Sequence, residues 1–127
     1  CPKLELLTVI DSTPGSRDQR WHQGWRYLFH PDERLPPYAV VVALPLADVS
    51  HAMGPTEMCP GKKLRFYHGW RCHNRSVLLA TTAGTVAIFD YKTLHRGPAN
   101  EASVERPMVS MVFSKVGGVG AIRASHA

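Results

Sequence analysis

The chain of 127 residues has few cysteines and no long apolar run, and each shortage removes a class of protein. Its three cysteines, Cys1, Cys59 and Cys72, are odd in number and never form a CxxC pair. That pattern argues against a disulfide framework or a zinc ribbon and favours a reducing compartment. No segment reaches the roughly 18 consecutive apolar residues of a membrane span, and no secretory signal peptide is visible. No convincing amphipathic helix is present either. The net charge of +5 is modest and gathers in Lys62, Lys63, Arg65, Arg71 and Arg75, a stretch without an acid. That stretch reads as a solvated basic loop or as a site for a phosphate-bearing or acidic partner. It lacks the ordered aromatic-and-basic interleaving of RNA-binding modules, so a nucleic-acid partner is not expected.

What the chain does have is turn chemistry. Ten prolines and ten glycines separate short apolar segments. Strands are expected at Leu4–Ile10, Arg20–Phe29, Tyr38–Leu46, Thr56–Cys59, Val77–Ala80, Thr85–Asp90 and Pro107–Ser114. The run Tyr38–Leu46 is continuous rather than alternating, which predicts a central strand buried on both faces. About seven or eight short strands without helix predict an all-β sandwich or jelly roll. Residues 1–127 are expected to form one domain with a single core. Because the chain starts at Cys1 rather than Met, it is read as a processed product or a piece of a longer protein.

The chemistry concentrates in two segments, Trp21-His22-Gln23-Gly24 and His95-Arg96-Gly97, with Arg106 eleven residues after the second histidine. On a strand, His22 and Gly24 share one face, the spacing with which a mononuclear iron site presents a His and a carboxylate. Two imidazoles from different strands hold iron(II) while leaving positions for oxygen and an oxidisable co-substrate. Arg106 opens a strand whose alternate residues include Met108 and Ser110, and a buried arginine suits bidentate capture of a carboxylate. Each residue also has a plainer role: structural histidine, surface charge, strand filler.

The segments Arg20-Trp21-His22-Gln23, Leu35-Pro36-Pro37-Tyr38-Ala39-Val40, Leu44-Pro45-Leu46-Ala47-Asp48-Val49, Gly54-Pro55-Thr56-Glu57 with Pro60-Gly61, Phe89-Asp90-Tyr91, His95-Arg96-Gly97 with Asn100, and Arg106-Pro107 together resemble the phytanoyl-CoA dioxygenase family. They follow the family's order over most of the chain. The resemblance implies a double-stranded β-helix of the cupin type, truncated at its N-terminus, that uses iron(II) and 2-oxoglutarate. It implies His22 and His95 as the iron ligands and Arg106 as the anchor for the far carboxylate of 2-oxoglutarate. Ser110 is the weaker co-substrate candidate.

Three departures stand out. The family's His-x-Asp reads His22-Gln23-Gly24, its Gly-Ser-His reads Gly61-Lys62-Lys63, and the Asn before Gly-Pro-Thr-Glu is Met53. Gly24 then admits three explanations. Glycine opens a place for chloride, as in iron and 2-oxoglutarate halogenases; another carboxylate such as Asp18 or Asp32 reaches the metal, which strand geometry disfavours; or the site has decayed. The expected activity is oxidation of an unactivated C–H bond in a small or carrier-linked substrate, by hydroxylation or halogenation. The alternative is an inactive binding or scaffold subunit with a protein partner in a larger assembly.

Overall fold

The computed structural model describes residues 1–24, 38–60, 72 and 76–115. The basic cluster at Lys62, Lys63, Arg65, Arg71 and Arg75, Asp32, and the second half of the expected strand Arg20–Phe29 lie outside those residues; in its first half only His22 makes a bridge, so no strand forms there. Among the described residues seven strands run in chain order: β1 (Pro2–Ser12), β2 (Ala39–Pro45), β3 (Glu57–Cys59), β4 (Val77–Leu78), β5 (Ala87–Asp90), β6 (Leu94–Arg96) and β7 (Arg106–Lys115). A 3-10 turn, His51–Met53, follows β2.

The strands build two antiparallel sheets, β1-β7-β2-β5 and β4-β3-β6, in the jelly-roll arrangement that the turn-punctuated strand series predicts. β7 is the spine of the larger sheet. Its residues Arg106, Ser110, Val112 and Ser114 are buried at even spacing, and Ala39, Val41 and Ala43 of β2 face the same side through the pairs Ala39–Ser114, Val41–Val112 and Ala43–Ser110. Val41, Val112, Ala39 and Tyr91 form one core cluster, with Leu6, Tyr38 and Phe89 against it. Burying each such valine contributes about 1.5–3 kcal/mol.

β2 is central, as its composition predicts, but it is fully buried on one face only; Val40, Val42 and Leu44 on the other are half-buried. The continuous apolar run has a different cause from the expected one. The outer face of this sheet is itself apolar: Leu7 pairs with Met111, Met111 with Val42, and Val42 with Ile88, while Val9 pairs with Val109 and Val109 with Leu44.

The smaller sheet corrects the cysteine reading. Cys59 and Cys72 are joined in a disulfide, and only Cys1 is a free thiol. The two cysteines are 13 residues apart in sequence, yet their Cα atoms lie 5.9 Å apart, within bridging distance. With Leu94 they form a second core cluster, covered by Trp21.

Candidate metal centre

The two histidines are set opposite each other by the backbone. His22 and His95 form an isolated antiparallel bridge in which His22 N–H donates to His95 O and His95 N–H to His22 O, both at 2.9 Å. Their rings follow, with centroids 4.5 Å apart. Gln23 Nε2 donates to Lys92 O at 2.7 Å and Gly24 N–H to Tyr91 O at 3.1 Å, so residues 22–24 are zipped along residues 91–95.

Each ring is aimed by the backbone two residues before it. Nδ1 of His22 lies 2.8 Å from Arg20 O, and Nδ1 of His95 lies 2.8 Å from Thr93 O. A carbonyl only accepts, so both Nδ1 atoms carry a proton and both Nε2 atoms are left for other partners. This is the outer-shell arrangement that orients metal-binding imidazoles. Burial pushes the His95 imidazole down to about 4, reinforced by the neighbouring His22 and opposed by the Thr93 hydrogen bond. His95 is therefore neutral at pH 7, the form that binds metal. Phe89 of β5 packs edge-on against the His95 ring, with centroids 5.3 Å apart, which ties the two sheets together at the site.

Gly24 differs from the open hole that its missing side chain suggests. A Cβ built there would lie 2.5 Å from Tyr91 Cδ2 and 3.1 Å from Tyr91 Cζ, with Cε2 closer still. Tyr91 is 3% exposed and its ring packs edge-on against Tyr38. The space beside Gly24 is filled by an aromatic ring. Among the described residues no group of three or more His, Cys, Asp or Glu could hold a metal ion. Asp18 is engaged elsewhere, accepting from Ala99 N–H at 2.8 Å and lying 3.7 Å from Arg96 Nη1.

Arg106 is buried at the start of β7. Its Nε donates to Met53 O at 3.1 Å and Nη1 lies 3.4 Å from Met108 Sδ. No carboxylate among the described residues forms an ion pair with it, and desolvation lowers its pKa, with Asp11 acting in the opposite sense. A buried guanidinium of this kind favours an anionic guest. It lines a small cleft of about 30 Å³ with Met108, Ala43, Ala87, Thr56 and Thr81. The histidines do not line this cleft. Gly97, two residues after His95, links the two places: its Cβ position would lie 3.6 Å from Arg106 Nη2. Ser110 shares the inward face of β7 but sits deeper, paired with Thr8 and Ala43, and does not line the cleft.

A family model described as phytanoyl-CoA dioxygenase matches residues 4–108. The chain belongs to the phytanoyl-CoA dioxygenase family. No curated protein matches it. Among solved structures, AviO1 from Streptomyces viridochromogenes Tue57 superposes with a TM-score of 0.78 at 17% identity, covering 94% of this chain and 54% of that one. A nickel complex of the non-heme monooxygenase ThoJ gives 0.71 at 17% identity, covering 89% and 44%. SnoK, a non-heme alpha-ketoglutarate-dependent carbocyclase from nogalamycin biosynthesis, gives 0.67 at 17% identity, covering 89% and 49%. The chain spans about half the length of these structures, and the likeness establishes the cupin-type fold.

As a phytanoyl-CoA dioxygenase family domain, it fits a metal at two ligands and not at the third. Two oriented imidazoles suit iron(II), whereas the position beside Gly24 offers carbon instead of carboxylate. Tyr91 is the site residue that sequence patterns missed. Asn100 is a supporting one: its side chain donates to Ser12 O at 2.7 Å and Val104 O at 2.9 Å and accepts from Ala102 N–H at 3.0 Å, tying the loop between His95 and Arg106 to β1.

Proposed function

We propose that this domain binds iron(II) through His22 and His95 and 2-oxoglutarate through Arg106, and that it belongs to an oxygenase acting on an unactivated C–H bond of a small or carrier-linked substrate. The observation that carries this reading is the pair of Nδ1–carbonyl hydrogen bonds, which leaves both Nε2 atoms available. Iron(II) with 2-oxoglutarate supplies the activation of dioxygen. The chain's own residues orient the ligands, keep His95 unprotonated, and offer a dry guanidinium to a carboxylate.

A second reading has its own support. With Gly24 closed and no third ligand among the described residues, the domain is a binding or scaffold subunit that retains the fold without turnover.

Anaerobic calorimetric titration of iron(II) into the wild type, His22→Ala and His95→Ala separates the two. The oxygenase reading expects uptake in the wild type that falls by at least about 10-fold in each variant, by comparison with the sensitivity of metal sites to their surroundings. No uptake by the wild type, with or without chloride and 2-oxoglutarate, ends that reading and leaves the scaffold.

A further inference from the structure

The geometry points to Tyr91 as the residue that keeps a side chain, and with it a carboxylate ligand, out of position 24: its ring is interlocked with Gly24. The inference rests on the two-histidine reading above, but its first test does not need a metal.

Three observations carry it. The overlap at position 24 is with the body of the ring, Cδ2, Cε2 and Cζ, rather than with the tip of a mobile chain. The ring has little freedom to withdraw, since Tyr91 is nearly inaccessible and belongs to the core cluster with Ala39, Val41 and Val112. Its backbone is held on both sides, with Tyr91 N–H donating to Ala39 O at 3.1 Å and Tyr91 O accepting from Gly24 N–H at 3.1 Å. An added Cβ is therefore met by packed aromatic carbon, and relief requires repacking of the core, which is costly. Glycine at 24 and tyrosine at 91 form one unit. A return to the ordinary ligand set takes two changes rather than one.

Tyr91 acts through position 24 and is a positioning residue. The test is a double-mutant cycle on the whole chain with Gly24→Asp, Tyr91→Leu and the double variant; leucine keeps buried apolar volume and withdraws the ring. Tyr91→Phe, which keeps the ring, serves as a control and should match the wild type. In metal-free thermal melts, Gly24→Asp should lower the midpoint by more than about 5 °C, and Tyr91→Leu should recover at least half of that loss in the double variant. In anaerobic cobalt(II) titrations, Gly24→Asp alone should gain no affinity, whereas the double variant should bind at least about 10-fold more tightly than the wild type.

Additive melts, with no recovery in the double variant, would overturn the interlock. So would a Gly24→Asp protein that melts like the wild type and gains affinity unaided. If no variant, including the double, takes up cobalt(II), the two-histidine reading fails, and the melts still decide whether Gly24 and Tyr91 are coupled.

Discussion

Leu94 pairs with Cys59 across the β3–β6 ladder, one step from the pair Met58–His95, so the Cys59–Cys72 disulfide is adjacent to the strand position that carries the second histidine. The same cluster is covered by Trp21, the neighbour of His22. The disulfide therefore packs against both histidine-bearing segments.

Opening this bridge should cost about 3 kcal/mol, the loop-closure value for a cross-link spanning 13 residues. Denaturant melts of the wild type with and without a dithiol reductant, and of Cys59→Ser/Cys72→Ser, measure it. Reduced wild type should match the double variant. Identical oxidised and reduced melts would mean that the bridge contributes nothing.

Stability should fall on the acid side of neutrality. His95 titrates at about 4 in the folded chain against an ordinary value of about 6.5. Between those values the unfolded chain binds a proton that the folded chain refuses. The contribution is whole above about pH 6.5 and is lost as the pH drops toward 4. Metal-free melts across this window should show a steeper decline in the wild type than in His95→Gln. Equal slopes would remove the assignment.

Arg106→Lys should weaken 2-oxoglutarate binding by about 10-fold, because a point charge replaces a two-pronged donor. Anaerobic titration of 2-oxoglutarate into the metal-loaded protein reads this directly. Unchanged affinity would count against Arg106 as the carboxylate anchor.

Gly54 and Gly84 both have left-handed backbone, with φ of 64° and 80°, yet they should respond differently to alanine. Around Gly84 nothing lies within 4 Å, so the substitution costs roughly 1–2 kcal/mol of backbone strain. At Gly54 a Cβ would meet the carbonyl oxygens of Ala99 and, at 2.5 Å, Pro98, and the cost should exceed about 3 kcal/mol. Gly54 follows Met53, whose carbonyl accepts from Arg106, so Gly54→Ala should also loosen the co-substrate anchor. Paired thermal melts test the ranking, and equal losses would contradict it.

The outer face of the larger sheet gives a fifth expectation. Leu7 is 61% exposed and Ile88 67%. Leu7→Lys/Ile88→Lys should reduce self-association in sedimentation while changing folding stability by no more than about 0.5 kcal/mol per site. A large loss of stability would show that this face is already packed in solution.

How far these features can be read from the residues varies with their range. The strands at Ala39–Pro45 and Arg106–Lys115 are legible because apolar runs end at proline and at polar turns. β6 is not, since three residues are too few to display a period. The meeting of His22 with His95 and the burial of Arg106 are legible through the family resemblance of their segments rather than from spacing alone. Tyr91 is not, because its role depends on long-range pairing with Gly24, and an aromatic residue after Asp90 looks like an ordinary strand end. The disulfide is hidden for a similar reason: its partners meet only after the chain between them has folded back.

The orientation of the two imidazoles depends on main-chain oxygens at Arg20 and Thr93, two positions upstream in each case. Carbonyl groups are common to every residue, so the identity of the side chain at 20 or 93 is free to vary without turning either ring. The aim of the site is heritable through backbone geometry alone. Such a domain can exchange the chemistry around its histidines while the histidines themselves keep pointing the same way.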